Sequence, residues 1–167
     1  MAICDNYRTP HCRIFHDEAF RGKIASKHRY FYGVKVHRVV TESGLPVEMA
    51  LLPGSASDVH GLQMLPLDLP VGSELYVDAV FTSYWIEDAL RELDGIDLQV
   101  CYQRTAQRRE RSEIESRKKL LRRPIESNFS AITALFGHHI HATTFQGFRL
   151  KLCLFLLAFI LNRALLC

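Results

Sequence analysis

Ser73-Glu74-Leu75-Tyr76-Val77-Asp78-Ala79-Val80-Phe81-Thr82-Ser83-Tyr84-Trp85 is the stretch whose reading decides the fold. Leu75, Tyr76 and Val77 form a short apolar, aromatic and β-branched run bounded upstream by Pro70 and Gly72, the pattern of a buried strand. Asp78 interrupts the run. A carboxylate at the end of an apolar strand is costly unless it is hydrogen-bonded, ion-paired or bound to a cation, so Asp78 marks a candidate site. It could equally cap the helix that follows, and the residue alone leaves both readings open.

Downstream, Thr82 or Ser83 caps an expected amphipathic helix over Tyr84–Leu93, with Ile86, Ala89, Leu90 and Leu93 on one face and Asp94-Gly95 as its stop. Ile96–Tyr102 then reads as a strand parallel to the Asp78 strand, reached by a right-handed helical crossover. Upstream, Tyr30–Glu42 alternates as a strand, Val34, Val36 and Arg38 on one face and Lys35, His37 and Val39 on the other. Ser43-Gly44 turns the chain into a second strand, Leu45–Pro53, so the pair is an antiparallel hairpin. Pro53-Gly54-Ser55 ends it, Ser57 or Asp58 caps a helix to about Leu65, and Pro66 and Pro70 prevent its continuation.

The ends are less regular. Met1–Lys27 is polar and basic, with Asn6, Pro10 and Gly22 as breakers, and reads as extended or looped chain. Gln103–Arg123 is arginine-rich; Ser112 and Glu115 have capping-box spacing, and Pro124 either kinks that helix or opens a new one. Ile125, Phe129, Ile132 and Phe136 recur at helical spacing, leaving Glu126, Ser130 and Thr133 on a neighbouring stripe. Gly137–Gly147 is a loop or short helix and Phe148–Cys167 a final helix. Its unbroken apolar run, Leu152–Leu161, is too short to span a bilayer and reads as core.

At 167 residues, 48% hydrophobic and 23% charged, the chain suits one globular domain. We expect a single domain over 1–167, with 1–29 as an extended basic arm. The five cysteines are odd in number and widely spaced, with no signal peptide before them, so they read as reduced thiols of a cytoplasmic protein. Charge is segregated. Residues 1–38 carry +5, 39–102 carry −10, 103–123 carry +6 and the remainder +2. Basic flanks around an acidic middle suit a protein that grips a phosphate backbone and keeps its carboxylates for a separate task.

Y-F-Y-G-V-K-V-H (30–37), L-L-P-G-S-A-S-D (51–58), Y-V-D-A-V-F (76–81) and R-R-P-I-E-S-N-F (122–129), in that order, resemble the catalytic domain of insertion-sequence transposases of the DDE class, closest to the 982-type group. The resemblance implies an α/β, ribonuclease-H-like mixed sheet flanked by helices, here with its first strand missing. It also implies metal-dependent cleavage and strand transfer of insertion-sequence DNA. In that family three carboxylates hold two Mg²⁺ (or Mn²⁺) ions that activate the attacking oxygen and stabilise the leaving one. By resemblance Asp78 is the second acid, Glu126 the third, and Arg122, four residues earlier, positions the carboxylate or a phosphate. Arg104, Arg108, Arg109, Arg111, Lys118, Lys119 and Arg123 are the expected DNA contacts. Lys119 and Thr133 stand where many relatives carry a tyrosine and a basic residue. The first aspartate of the family would precede Met1, and Asp5 matches a different position. The sequence therefore predicts an N-terminally truncated, inactive copy, with weak metal binding, DNA as partner, no membrane association, a homo-oligomer allowed, and a cytoplasmic, nucleoid-associated location.

Other readings stay open. Cys4, His11, Cys12 and His16 cluster like zinc ligands, although their spacing fits no standard finger. His138, His139 and His141 could bind metal or phosphate, or form a polar connector; Asp58 and His60 lie near the candidate site by family analogy. A non-catalytic DNA-binding or regulatory fragment would use the basic 103–123 segment and the N-terminal arm.

Overall fold

The computed structural model describes residues 2–6, 14–24, 28–108, 110–136 and 140–166. Strand β3 (Arg29–Val40) is its spine. The hairpin partner β4 (Pro46–Pro53) runs antiparallel to it, from Val34 opposite Pro53 to Val40 opposite Pro46. Two short strands lie in the N-terminal stretch. β1 (Ala2–Asn6) sets Ile3 opposite Val34, and β2 (Arg21–Ile24) sets Arg21 opposite Tyr32. Tyr32 faces Asn6 on one side and Arg21 on the other, so β1 lines one edge of β3 while β2 and then β4 line the opposite edge. The stretch expected to be extended or looped thus contains two ladder strands, each too short and polar to declare itself by alternation.

A second, two-stranded sheet holds β5 (Glu74–Asp78) parallel to β6 (Asp97–Cys101), Asp78 opposite Cys101, as the crossover reading expects. Between them a 3-10 turn (Ala79–Phe81) leads into α2 (Tyr84–Ala89), whose last turn widens to a π-helical one over Leu90–Asp94 before Gly95 at φ +65° ends it. Helix α1 (Asp58–Gln63) is capped by Ser57, whose Oγ accepts from the His60 N–H at 3.1 Å. Helix α3 (Ser112–Phe136) runs through Pro124 as one element, so Pro124 begins no new helix, and α4 is Phe145–Leu166. The expected capping box is not formed: Glu115 is buried, with neither carboxylate oxygen hydrogen-bonded.

Alternation in β3 and β4 divides the apolar residues between two cores. Tyr32, Val34 and Val36 pack with Phe15 and, from the C-terminal helices, Ile132, Phe148, Leu152, Leu156 and Phe159. Val39, Ala50 and Leu52 point the other way, onto Leu62 of α1, Ile86 and Leu90 of α2, and Leu98 and Val100 of β6. Close backbone approach fixes where the sheet ends: a Cβ on Gly22 would lie 2.4 Å from the Gly54 carbonyl oxygen and 2.4 Å from the Phe31 ring. At the other end, the β3–β4 turn has Gly44 at φ +80°. It is held from both C-terminal helices, because buried Asn128 of α3 donates to the Gly44 carbonyl and Arg163 of α4 donates to the Ser43 carbonyl at 2.9 Å. Among the described residues no helix is long and apolar enough to cross a membrane.

Candidate carboxylate site

The apolar run Leu75–Val77 commits β5 to the sheet, and the chain leaves it at Asp78. Asp78 Oδ1 accepts from the Ala79 N–H at 2.8 Å, capping the 3-10 turn, and the same oxygen lies 2.7 Å from Arg122 Nη1. The cap expected as one of the two readings of Asp78 is formed, and the same atom also carries an ion pair. The pair is lopsided in exposure: the Asp78 side chain is 50% exposed and the Arg122 side chain 23%.

Arg122 reaches Asp78 because α3 lies against β5 and β6. Glu115, Lys118 and Arg122 recur at spacings of three and four, which brings them to one helix face. Buried Lys118 pairs with Glu110 Oε2 at 2.6 Å and lies 5.9 Å from the Tyr102 ring centroid. Cys101, opposite Asp78, is buried; burial pushes its thiol upward, while the charges of Arg122 and Lys118 oppose the shift and those of Glu115 and Asp78 add to it. That thiol is poorly placed to ionise. Glu126 follows Arg122 in α3 by four residues, the spacing at which side chains stack along a helix; its side chain lies outside the described residues.

Hard divalent cations take six or more oxygen ligands, and Mg²⁺ is held through one or two protein carboxylates beside waters and substrate phosphates. The described donor set does not fit one. Asp78 brings a single carboxylate whose Oδ1 already carries a fixed guanidinium, and no group of three His, Cys, Asp or Glu able to hold a metal occurs among the described residues. The zinc reading fares no better there: His16 is exposed, and His11, Cys12 and the Cys4 side chain lie outside the described residues. His138 and His139 are outside them too, while His141 is exposed and its carbonyl accepts from Lys151.

The basic segment divides into two kinds of residue. Arg108 grips Asp88 in a bidentate pair at 2.6 and 2.8 Å, reaches Glu87 at 3.4 Å and stacks on the Tyr84 ring at 4.6 Å. Its hydrogen bond to Asp88 raises its pKa further and pulls that of the Asp88 carboxyl down. Arg108 is thus a clamp between the β6–α3 connector and α2, and Lys118 is likewise committed internally. Arg104, Arg111 and Lys119 are exposed, and so is Arg117, which the sequence did not single out. Arg109 and the side chain of Arg123 lie outside the described residues.

A second polar cluster went unread in the sequence. Asp58, the first residue of α1, takes Lys35 Nζ at 3.3 Å, and Lys35 also donates to the Ala56 carbonyl at 2.7 Å. Buried His37 sets Nε2 3.7 Å from Asp58 Oδ1 and meets the Phe81 ring edge-on, three residues from Asp78. Burial lowers the His37 pKa to about 4, so the ring is neutral near pH 7 and its approach to Asp58 is not an ion pair. The signal was present: Lys35 and His37 alternate with Val34 and Val36 in β3. His60 is exposed.

The family described as "Transposase DDE domain" matches residues 1–141. Comparison with curated proteins and with solved structures returned no match.

Proposed function

From the premise that this chain belongs to the transposase DDE-domain family, which ties it to DNA transposition, we propose that it engages insertion-sequence DNA through the exposed basic residues of 103–123 and does not cleave it in the arrangement described. One observation carries this reading: the Arg122 guanidinium lies on Asp78 Oδ1, the oxygen that family chemistry would give to Mg²⁺ or Mn²⁺. Asp78 and Glu126 are the carboxylates we assign to that chemistry, with Arg122 paired to Asp78. The assignment supplies two acids, and the arginine neutralises one of them internally. Metal binding is accordingly weak.

The fold that accompanies this reading is ribonuclease-H-like, in one domain. Its support is the order of hairpin β3–β4, α1, β5, α2, parallel β6 and α3. A DNA-bound protein of this kind resides in the cytoplasm, on the nucleoid.

A non-catalytic DNA-binding or regulatory role is the second reading, favoured by Arg104, Arg111, Arg117 and Lys119 remaining exposed while Arg108 and Lys118 are committed to the fold. Both readings require affinity for duplex DNA that falls steeply with salt. Incubation of labelled duplex with the protein and Mg²⁺ or Mn²⁺ separates them from an active enzyme. Cleavage that disappears in Asp78→Ala would overturn the inactivity claim, and salt-insensitive or absent binding would overturn both readings.

A further inference from the structure

Helix α4 has a second apolar face. Its buried side is Phe148, Leu152, Leu156 and Phe159, but Leu150, Leu154, Leu157, Leu161 and Leu165 are between 51% and 83% exposed. These five recur at spacings of four, three, four and four. At about 100° per residue they occupy one stripe less than a quarter-turn wide, opposite the core face. Exposed Cys153 and Ala164 flank the stripe. No acidic residue occurs in Phe145–Leu166, and its three basic side chains are engaged off the stripe: Arg163 on the Ser43 carbonyl, Lys151 on the His141 carbonyl, and Arg149 beside the Phe145 ring at 5.9 Å.

We propose that this stripe is a self-association seam, covered by α4 of a second copy of the chain lying antiparallel to it. Leucines at three- and four-residue spacings along one stripe are self-complementary, because each knob fits a hole between four residues of an identical facing helix. An uncharged stripe adds no repulsion to such a pairing, whereas a polar partner would strand its own hydrogen-bonding groups against leucine. The five leucines expose roughly 500 Å² per copy, so a symmetric pair buries about 1,000 Å², the threshold of a specific interface. Antiparallel packing opposes the helix dipoles favourably. With the two-fold axis beside Leu157 and Ala158, Leu150 meets Leu165 of the partner subunit, and Leu154 meets Leu161 of the partner subunit. The inference does not depend on the chain acting on DNA.

Light scattering and sedimentation equilibrium of the full chain, over about 1 to 100 µM, test it through mass action. The wild type is expected to form a discrete dimer. Leu157→Glu, which sets two carboxylates at the two-fold axis, raises the dissociation constant at least tenfold, as does the milder Leu154→Gln; Asn162→Glu, exposed on the same helix but off the stripe, leaves it unchanged. Far-ultraviolet circular dichroism should match the wild type for all three, since none of these side chains is in the core. A monomeric wild type, species larger than a dimer, or equal behaviour of Leu157→Glu and Asn162→Glu would overturn the proposal. So would wild-type protein that stays monomeric and co-sediments with phosphatidylcholine–phosphatidylglycerol vesicles, because lipid would then be what covers the stripe.

Discussion

Arg122→Gln should weaken the fold slightly and make the Asp78 carboxylate available to divalent cations. The contact is short, 2.7 Å, but Asp78 is half exposed, so solvent screens most of the Coulomb attraction and the pair contributes about 0.5–1 kcal/mol. Asp78→Asn is the matching change at the other end, because its remaining carbonyl oxygen still accepts from the Ala79 N–H and only the charge is lost. Urea denaturation of the wild type, each single variant and the double variant gives the coupling energy directly. It should be about 0.5–1 kcal/mol at low ionic strength and shrink toward zero near 1 M salt. Calorimetric titration with Mn²⁺ supplies a second readout: Arg122→Gln binds more tightly than wild type, and adding Asp78→Asn removes the gain. A coupling energy of zero at low salt, or a Mn²⁺ affinity that Arg122→Gln leaves unmoved, would refute the claim that the guanidinium blocks the carboxylate.

Five further substitutions probe other parts of the molecule. Gly22→Ala places a methyl group 2.4 Å from the Gly54 carbonyl and should cost more than about 2 kcal/mol in urea denaturation. Gly72→Ala, at φ +86° with open space around it, should cost only the backbone strain of about 1 kcal/mol. His37, lowered from 6.5 to about 4, is protonated more readily in the unfolded chain. Its contribution is therefore complete above pH 6.5 and lost as the pH falls toward 4, up to about 3 kcal/mol, and His37→Leu should flatten that part of the stability–pH curve relative to wild type. Lys119→Gln should lower DNA affinity a few-fold and reduce the salt slope by about one, measured by fluorescence anisotropy, whereas Arg108→Gln should lower the melting temperature because it breaks the Asp88 clamp.

The central elements were legible because their signals are local. Alternation in Val34–Val39, the Ser43-Gly44 turn, the Asp94-Gly95 stop and the apolar Leu75–Val77 run each correspond to what the chain forms. β1 and β2 were not, because strands of five and four residues derive their definition from pairing with β3. Pro124 could be read either way; the spacing of Ile125 through Phe136 could not show that the helix begun at Ser112 passes through it. In the last helix ten consecutive apolar residues read as core, yet a helix packed on one side must expose the other, and Leu154, Leu157 and Leu161 are outside. Asp78 and Arg122 were selected by resemblance and lie in contact, while the distinction between an unclamped, exposed arginine and the clamp formed by Arg108 needed Tyr84 and Asp88 in place.

The β3–β4 turn, tied to Asn128 and Arg163, bears on the order in which the chain can mature. The two hydrogen bonds close loops of 84 and 120 residues, and closure over such separations is entropically expensive and slow. During synthesis the hairpin emerges early, but the Gly44 carbonyl has no helical donor until Asn128 is made, and the Ser43 carbonyl none until Arg163 is. A chain without Arg163 would keep only the Asn128 tie, so a fully tied hairpin tip reports that both helices have docked on it.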